Sequence, residues 1–186
     1  MRHAALLLLF LAGCTAPPRP GPAASLPEAS SLGMGDPTRA AIVSSAWAFA
    51  DPANLAGQPA EAAAAVARLE YLATEIPVGP RWVEISPLAA MDLQRGVGQA
   101  RTALGIPADA PPQAVIDALF AARAALLAGQ ATAAEAALPA ATFPAGGRVT
   151  LVRLGNLPAL PAAAAGAQAV QHQMDRNGGD NDNWDD

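Results

Sequence analysis

Few side chains here could do covalent or metal chemistry. The 186-residue chain holds one cysteine, Cys14, two histidines, His3 and His172, and no lysine, so that all 11 basic residues are arginines. Without lysine there is no Walker lysine, no Schiff base and no amine general base. A serine–histidine–acid relay would have to run through His172. That residue sits among Gln171, Gln173 and Met174, and no Gly-x-Ser-x-Gly elbow supports it. Cysteine and histidine are too few for a zinc centre. Gly33-Met34-Gly35 and Gly96-Val97-Gly98 lack the third glycine of a dinucleotide loop. Neither a metal nor a cofactor is expected. The carboxylates Glu70, Glu75, Glu84, Asp92, Asp109 and Asp117 remain, and two of them facing each other could hydrolyse a glycoside. Glu70 and Glu75, however, stand five apart on different sides of one helix, where each suits a solvated face. The most distinctive cluster is Glu75, Arg81, Trp82 and Glu84 around a proline-rich turn. An indole beside a guanidinium and carboxylates can hold a sugar or a peptide, and the alternative is Trp82 as a plug over the core with the charges on its rim.

Cys14 has a more definite context. Met1-Arg2-His3 is a short positive start, and Ala4 to Ala12 follow without a polar group. Nine apolar residues reach roughly 14 Å as a helix, about half of a ~30 Å hydrocarbon core, so the segment has the dimensions of a signal-peptide core and not of a transmembrane span. It ends in Leu11-Ala12-Gly13-Cys14, an aliphatic residue, two small ones and a cysteine. Residues 1–14 resemble the lipobox signal peptide of bacterial lipoproteins. The resemblance implies diacylglycerol on the Cys14 sulfur, cleavage between Gly13 and Cys14, and Cys14 as the lipidated first residue. Two or three acyl chains give lasting attachment where one gives only marginal residence. Thr15 after the cysteine fits sorting to the periplasmic face of the outer membrane. The rest of the chain resembles no family.

The elements that would position anything downstream are read from proline punctuation and apolar spacing. From Thr15 to Gly35 the chain carries Pro17, Pro18, Pro20, Pro22 and Pro27, which predicts a semi-extended linker. At ~3.1 Å per residue its reach is at most about 65 Å. Asp36-Pro37 then opens a helix whose apolar face reads Ile42, Val43, Ala46, Trp47 and Ala50, and Asp51-Pro52 stops it. A second helix starts near Pro59, with Ala62, Val66, Leu69, Ala73 and Ile76 on its stripe. Ser86-Pro87 opens a third, closed by Gly105, and Pro111-Pro112 opens a fourth, with Gly129 past its end. Short helices are expected over 131–138 and from Pro161 to about Gln173. Arg148 to Leu154 is rich in β-branched residues between glycines, and its reading leans to helix because its surroundings are helical.

This predicts a mainly α fold, a compact bundle of about four to six alanine-rich helices. Residues 1–13 are a signal peptide, 14–35 the lipidated cysteine with its linker, 36–174 the helical domain and 175–186 a disordered acidic tail. Alanine supplies 49 residues, hydrophobic residues make up 52%, and charged ones only 15%. Small side chains let helix axes approach toward the close end of the ~8–10 Å range. Burial is expected to be dominated by Trp47, Leu69, Tyr71, Leu93, Phe120 and Leu127. The net charge of −5 excludes a basic nucleic-acid binder. Asp180-Asn181-Asp182-Asn183 has the alternating acceptors of a calcium loop, but Trp184 and Asp185 occupy the positions of a ligand and the obligatory glycine.

The expected role is therefore a lipid-anchored, non-enzymatic structural or protein-interaction module of the cell envelope, with the membrane and an envelope protein as partners. The alternative is a binding protein for an apolar or glycan ligand, with a cleft lined by Trp47, Tyr71 and Trp82. Replacing the anchor residue, Cys14→Ser, is expected to move the protein from the membrane to the soluble fraction. Continued co-sedimentation with detergent-soluble membranes would contradict anchoring.

Overall fold

The computed structural model describes residues 23–27 and 35–181. The signal segment, Gly13 and Cys14 therefore lie outside the described residues. Those described form a bundle of seven α-helices with no strand among them: α1 Pro37–Ala50, α2 Pro59–Glu75, α3 Pro87–Leu104, α4 Pro112–Leu127, α5 Ala131–Ala136, α6 Gly147–Gly155 and α7 Pro161–Asn181. Two single 3-10 turns, Pro52–Asn54 and Pro80–Trp82, join α1 to α2 and α2 to α3. None of the described helices is long and apolar enough to cross a membrane.

Five of these helices begin on proline, whose fixed φ suits the first helical position and whose missing N–H would have gone unpaired there. Asp36 caps α1 by accepting from the amides of Thr38 at 3.0 Å and Arg39 at 3.3 Å. Ser86 caps α3 through the Leu88 amide at 3.1 Å. Gly105 ends α3 in the left-handed region at φ 77°, where a Cβ would be strained. The β-branched stretch at 148–154 is helical, with Leu154 buried and the Thr150 hydroxyl donating to the Gly146 carbonyl at 2.9 Å.

Helix α2 is the axis of the bundle, in contact with α1, α3, α4 and α6. All eleven residues from Ala62 to Leu72 are buried. A helix covered on every side belongs to the interior and cannot offer a solvated face. Close packing of neighbours is eased along its first half, where five of the six residues from Ala62 to Ala67 are alanine.

The largest helix contact, between α3 and α7, works by the same economy. A Cβ on Gly96 would lie 2.7 Å from the Cα of Ala163, and one on Gly166 would lie 2.7 Å from the Asp92 carbonyl carbon and the Leu93 nitrogen. Each glycine thus admits the other helix's backbone. The same antiparallel pair exchanges caps: Gln99 of α3 accepts from the Ala162 amide at 2.9 Å, and Gln173 of α7 accepts from the Ser86 amide at 2.6 Å.

Three expectations change. Trp47 and Leu127 were expected to dominate burial, yet both are 61% exposed. In α1 the face turned to α2 and α7 carries Thr38, Ala41, Ile42, Ser45 and Phe49, with the expected Ile42 and Ala46 buried, and Trp47 lies off that face. Helix α7 does not stop near Gln173 but runs to Asn181, past the expected start of the tail at Asp175. Gln173 and the buried Met174 anchor that last stretch, and no proline interrupts it. The linker is the third: its residues 23–27 are extended but docked on the body. The Ala24 amide donates to Thr74 of α2 at 3.0 Å and the Ser25 amide to Gln113 of α4 at 2.8 Å, while the Gln113 side-chain amide returns a bond to the Ser25 carbonyl at 3.2 Å.

The α3–α7 seam makes two glycine substitutions diverge. Gly166→Ala is expected to destabilise by about 1–3 kcal/mol through overpacking. Gly98→Ala, on α3 with no atom near its Cβ position, is expected to stabilise by up to about 1 kcal/mol. Urea unfolding of both variants measures the difference, and equal effects would contradict the close backbone approach.

Candidate functional site

The expected cluster assembles only in part. Arg81, Trp82 and Glu84 line a small cleft of about 230 Å³ together with Arg39, Ile85 and Met174, and Glu75 is not among its walls. Trp82 is 6% exposed and packed into the core. The Arg81 guanidinium lies 5.7 Å from its ring centroid and bridges to the Asp36 carboxylate at 2.5 Å, tying the turn to the α1 cap. The Glu75 carboxylate instead sits against Gly79 beneath the same turn. The indole is a plug with a charged rim and presents no free face for a sugar. Tyr71 is likewise buried, its hydroxyl 2.7 Å from that of Thr38, and none of the four main clefts is lined by Trp47 or Tyr71.

The larger concavity lies one turn away. A cleft of about 590 Å³ opens between the docked segment at Ala23 and Ala24, the C-terminal half of α2, the middle of α3 and the start of α4. Its walls are mainly apolar, with Ala73, Pro77, Val97, Pro111 and Pro112, and its polar groups are few, Thr74, Gln94 and Gln113 among them. That size and lining fall within the range of ligand pockets, ~300–1,000 Å³. At Pro77 and Gln94 it meets a second groove of about 390 Å³, lined by Val78, Val83, Pro87 and Met91. Val78 is 39%, Val83 79% and Met91 53% exposed, and Leu88, next to the lining Pro87, is 68% exposed, so four of the nine exposed large apolar side chains on the described surface belong to this stretch of chain.

An ion pair lines the first cleft. Glu70, expected on a solvated face, is 2% exposed because α2 has no such face. Its carboxylate accepts from Arg101 Nε at 2.7 Å and from Arg101 Nη2 at 2.8 Å, a fork-to-fork pair. The remaining Arg101 nitrogen donates to the carbonyls of Ala108 at 2.8 Å and Pro107 at 3.3 Å, pinning the loop after α3. Burial pushes the Glu70 carboxyl above its ordinary value, against the pull of the Arg101 guanidinium. Both groups are spent on each other and on the loop, so the pair organises the cleft wall and offers no free acid or base. Among the other candidates, Asp92 is held by Arg95 at 2.5 Å, Asp117 accepts from Gln113 at 2.8 Å, Glu84 is exposed, and His172 is exposed on α7.

No family model, characterised protein or solved structure matches this chain.

Removing the guanidinium isolates the charge that it serves. Arg101→Met is expected to cost about 3–5 kcal/mol near neutral pH, because it strands a buried carboxylate. Its folded-state pKa is raised, so that penalty applies above the folded value and fades as pH falls through it toward the unfolded value. The stability gap between wild type and variant should therefore narrow in acid, leaving the lost carbonyl contacts. Urea midpoints across pH measure this, and a gap that widens toward acid would contradict a buried, paired Glu70.

Proposed function

We propose that this chain is a lipid-anchored lipoprotein of the cell envelope, held by Cys14 at the periplasmic face of the outer membrane, and that its helical body is a non-enzymatic protein-interaction module. The observation that carries the interaction reading is the shoulder formed by Val78, Val83, Leu88 and Met91 around the 390 Å³ groove. Monomeric surfaces scatter such residues singly, and clustering at a concavity marks a contact site. No charged residue lines this groove, so it suits the apolar side chains of a protein partner. Coulombic recognition has nothing there to act on.

The docked segment supports the anchored arrangement. With Ala23 fixed to the body, eight residues separate it from Cys14, a span of at most about 30 Å over the nine steps. The 590 Å³ cleft beside Ala23 and Ala24 thus lies at the anchored end of the module. A second reading, a binding protein for an apolar ligand, rests on that cleft. A glycan ligand is less suited, since Trp82 has no exposed face to stack on a sugar.

The double variant Val83→Glu, Met91→Glu tests the first reading. Both residues are largely exposed, so the thermal midpoint should move by less than about 0.5 kcal/mol equivalent per site. Photo-crosslinkers at 83 and 91 should give a discrete protein adduct in intact envelopes, absent with a crosslinker at the equally exposed Leu127. Equal labelling from all three positions would overturn the assignment of this shoulder as the contact site.

A further inference from the structure

Side chains on the walls of the 590 Å³ cleft keep little hydrogen-bonding capacity in reserve. The Thr74 hydroxyl accepts from the Ala24 amide and donates to the Tyr71 carbonyl at 2.8 Å. Gln113 uses its oxygen on the Ser25 amide and its nitrogen on the Ser25 carbonyl and on Asp117. Glu70 and Arg101 are spent on each other and on the 107–108 carbonyls. Gln94, exposed on α3, is the one polar side chain of the wall with no hydrogen bond to a described residue. The rest of the described lining is alanine, proline and valine, with no aromatic ring. A peptide brings an N–H and a C=O at every residue, and a sugar a hydroxyl on most carbons, against this single uncommitted carboxamide. A flat ring would find no ring to stack on. An aliphatic chain needs only apolar cover, and its ester or amide head can meet solvent and Gln94.

The N-terminal side of the chain brings such a group within reach. Ala23 is itself part of the cleft wall, and only eight residues stand between it and Cys14. Nine steps extend at most about 30 Å, so a lipid on Cys14 is confined near the cleft at an effective concentration on the order of millimolar. We propose that the cleft receives one acyl chain of the lipid on Cys14, while the other chains stay in the bilayer and maintain attachment. This rests on the lipid-anchored reading and deepens it, since the body is then held to its own anchor at the cleft as well as through the linker.

Cells expressing the wild-type chain and fed a diazirine-bearing fatty acid test the placement. Irradiation of their membranes, then trypsin, should leave the Cys14 lipid joined to residues 69–81, which include Ala73 and Pro77, or to 96–101, which include Val97. Ala73→Phe and Val97→Phe fill the cleft from two different helices, and each should remove that adduct. In a separate measurement, the unlipidated Cys14→Ser chain should bind one equivalent of palmitate. At ten times its Kd, palmitate should raise the melting temperature by about 3–5 °C, a gain that either phenylalanine substitution should abolish. An unmodified Cys14 thiol in the mass spectrum overturns the anchored reading and this inference together. A lipidated Cys14 whose adducts fall on membrane lipid or elsewhere on the chain overturns this inference alone, as do adducts that persist in both phenylalanine variants. Palmitate bound without the intramolecular adduct assigns the cleft to another lipid's chain and equally overturns it, and so does failure of the Cys14→Ser chain to bind palmitate.

Discussion

The whole arrangement depends on α2 being covered on all sides. Eleven consecutive residues without a solvated face require neighbours to approach from several sides, and the alanines at 62–65 and 67 ease that approach along the first half of the stretch. The same constraint governs charge. A polar residue placed on α2 cannot turn outward, so Glu70 must find its counter-ion inside the bundle. Arg101 of α3 supplies it with both oxygens matched, and then uses its last nitrogen to hold the 107–108 carbonyls. Packing and electrostatics are thus one problem here: the central helix fixes α3 by apolar contact and by a fork that only arginine can make. A lysine at 101 could reach one oxygen but not satisfy both and the loop. That is one use for a chain whose cations are all arginine.

Alanine contributes little area per residue, so the bundle must compensate through closeness. The α3–α7 seam does so with glycine on each side, and the exchanged glutamine caps keep the two helices in register. Close approach maximises dispersion contacts where transfer of large side chains is not on offer. It also leaves no slack, since one methyl on Gly166 meets backbone, which cannot rotate out of the way.

How much of this is legible in the residues follows from which signals are local. Prolines at first helical positions, Asp36, Ser86 and Gly105 act within a turn of themselves, and the helix boundaries they mark agree with the structure. The helical fold of 148–154 was also recoverable, from context rather than propensity. What depends on a neighbour is not visible in a single pattern. Trp47 reads as core because it is large and correctly spaced, and only the presence of α7 beside α1 turns it outward. Glu70 reads as solvated because a helix is assumed to keep one wet face. The one available warning was the run Ala62 to Ala67, too uniformly apolar for a surface helix. Gly96 and Gly166 were open to reading as helix-weakening residues that need a packing reason, but nothing local says against what they pack. Of the Glu75, Arg81, Trp82 and Glu84 cluster, three residues do converge, around a buried indole, while the larger cleft drew its walls from helices too far apart in sequence to be associated by spacing.

The docking of residues 23–27 alters what the proline-rich stretch does. Extended backbone with few donors suits a spacer, and the same property lets it lie along a bundle, since a strand-like segment needs only a few side-chain partners to be held. Thr74 and Gln113 provide them from two helices at once, so the segment bridges α2 and α4. Ala24 and Leu26 add apolar contact with the core. Under the proposed anchoring, force along the N-terminus would reach the bundle through these two residues and not through the Asp36 cap. The large cleft, walled by the docked segment on one side and by the Glu70–Arg101 pair with the loop it pins on another, would then be bounded by the parts of the structure that carry that load.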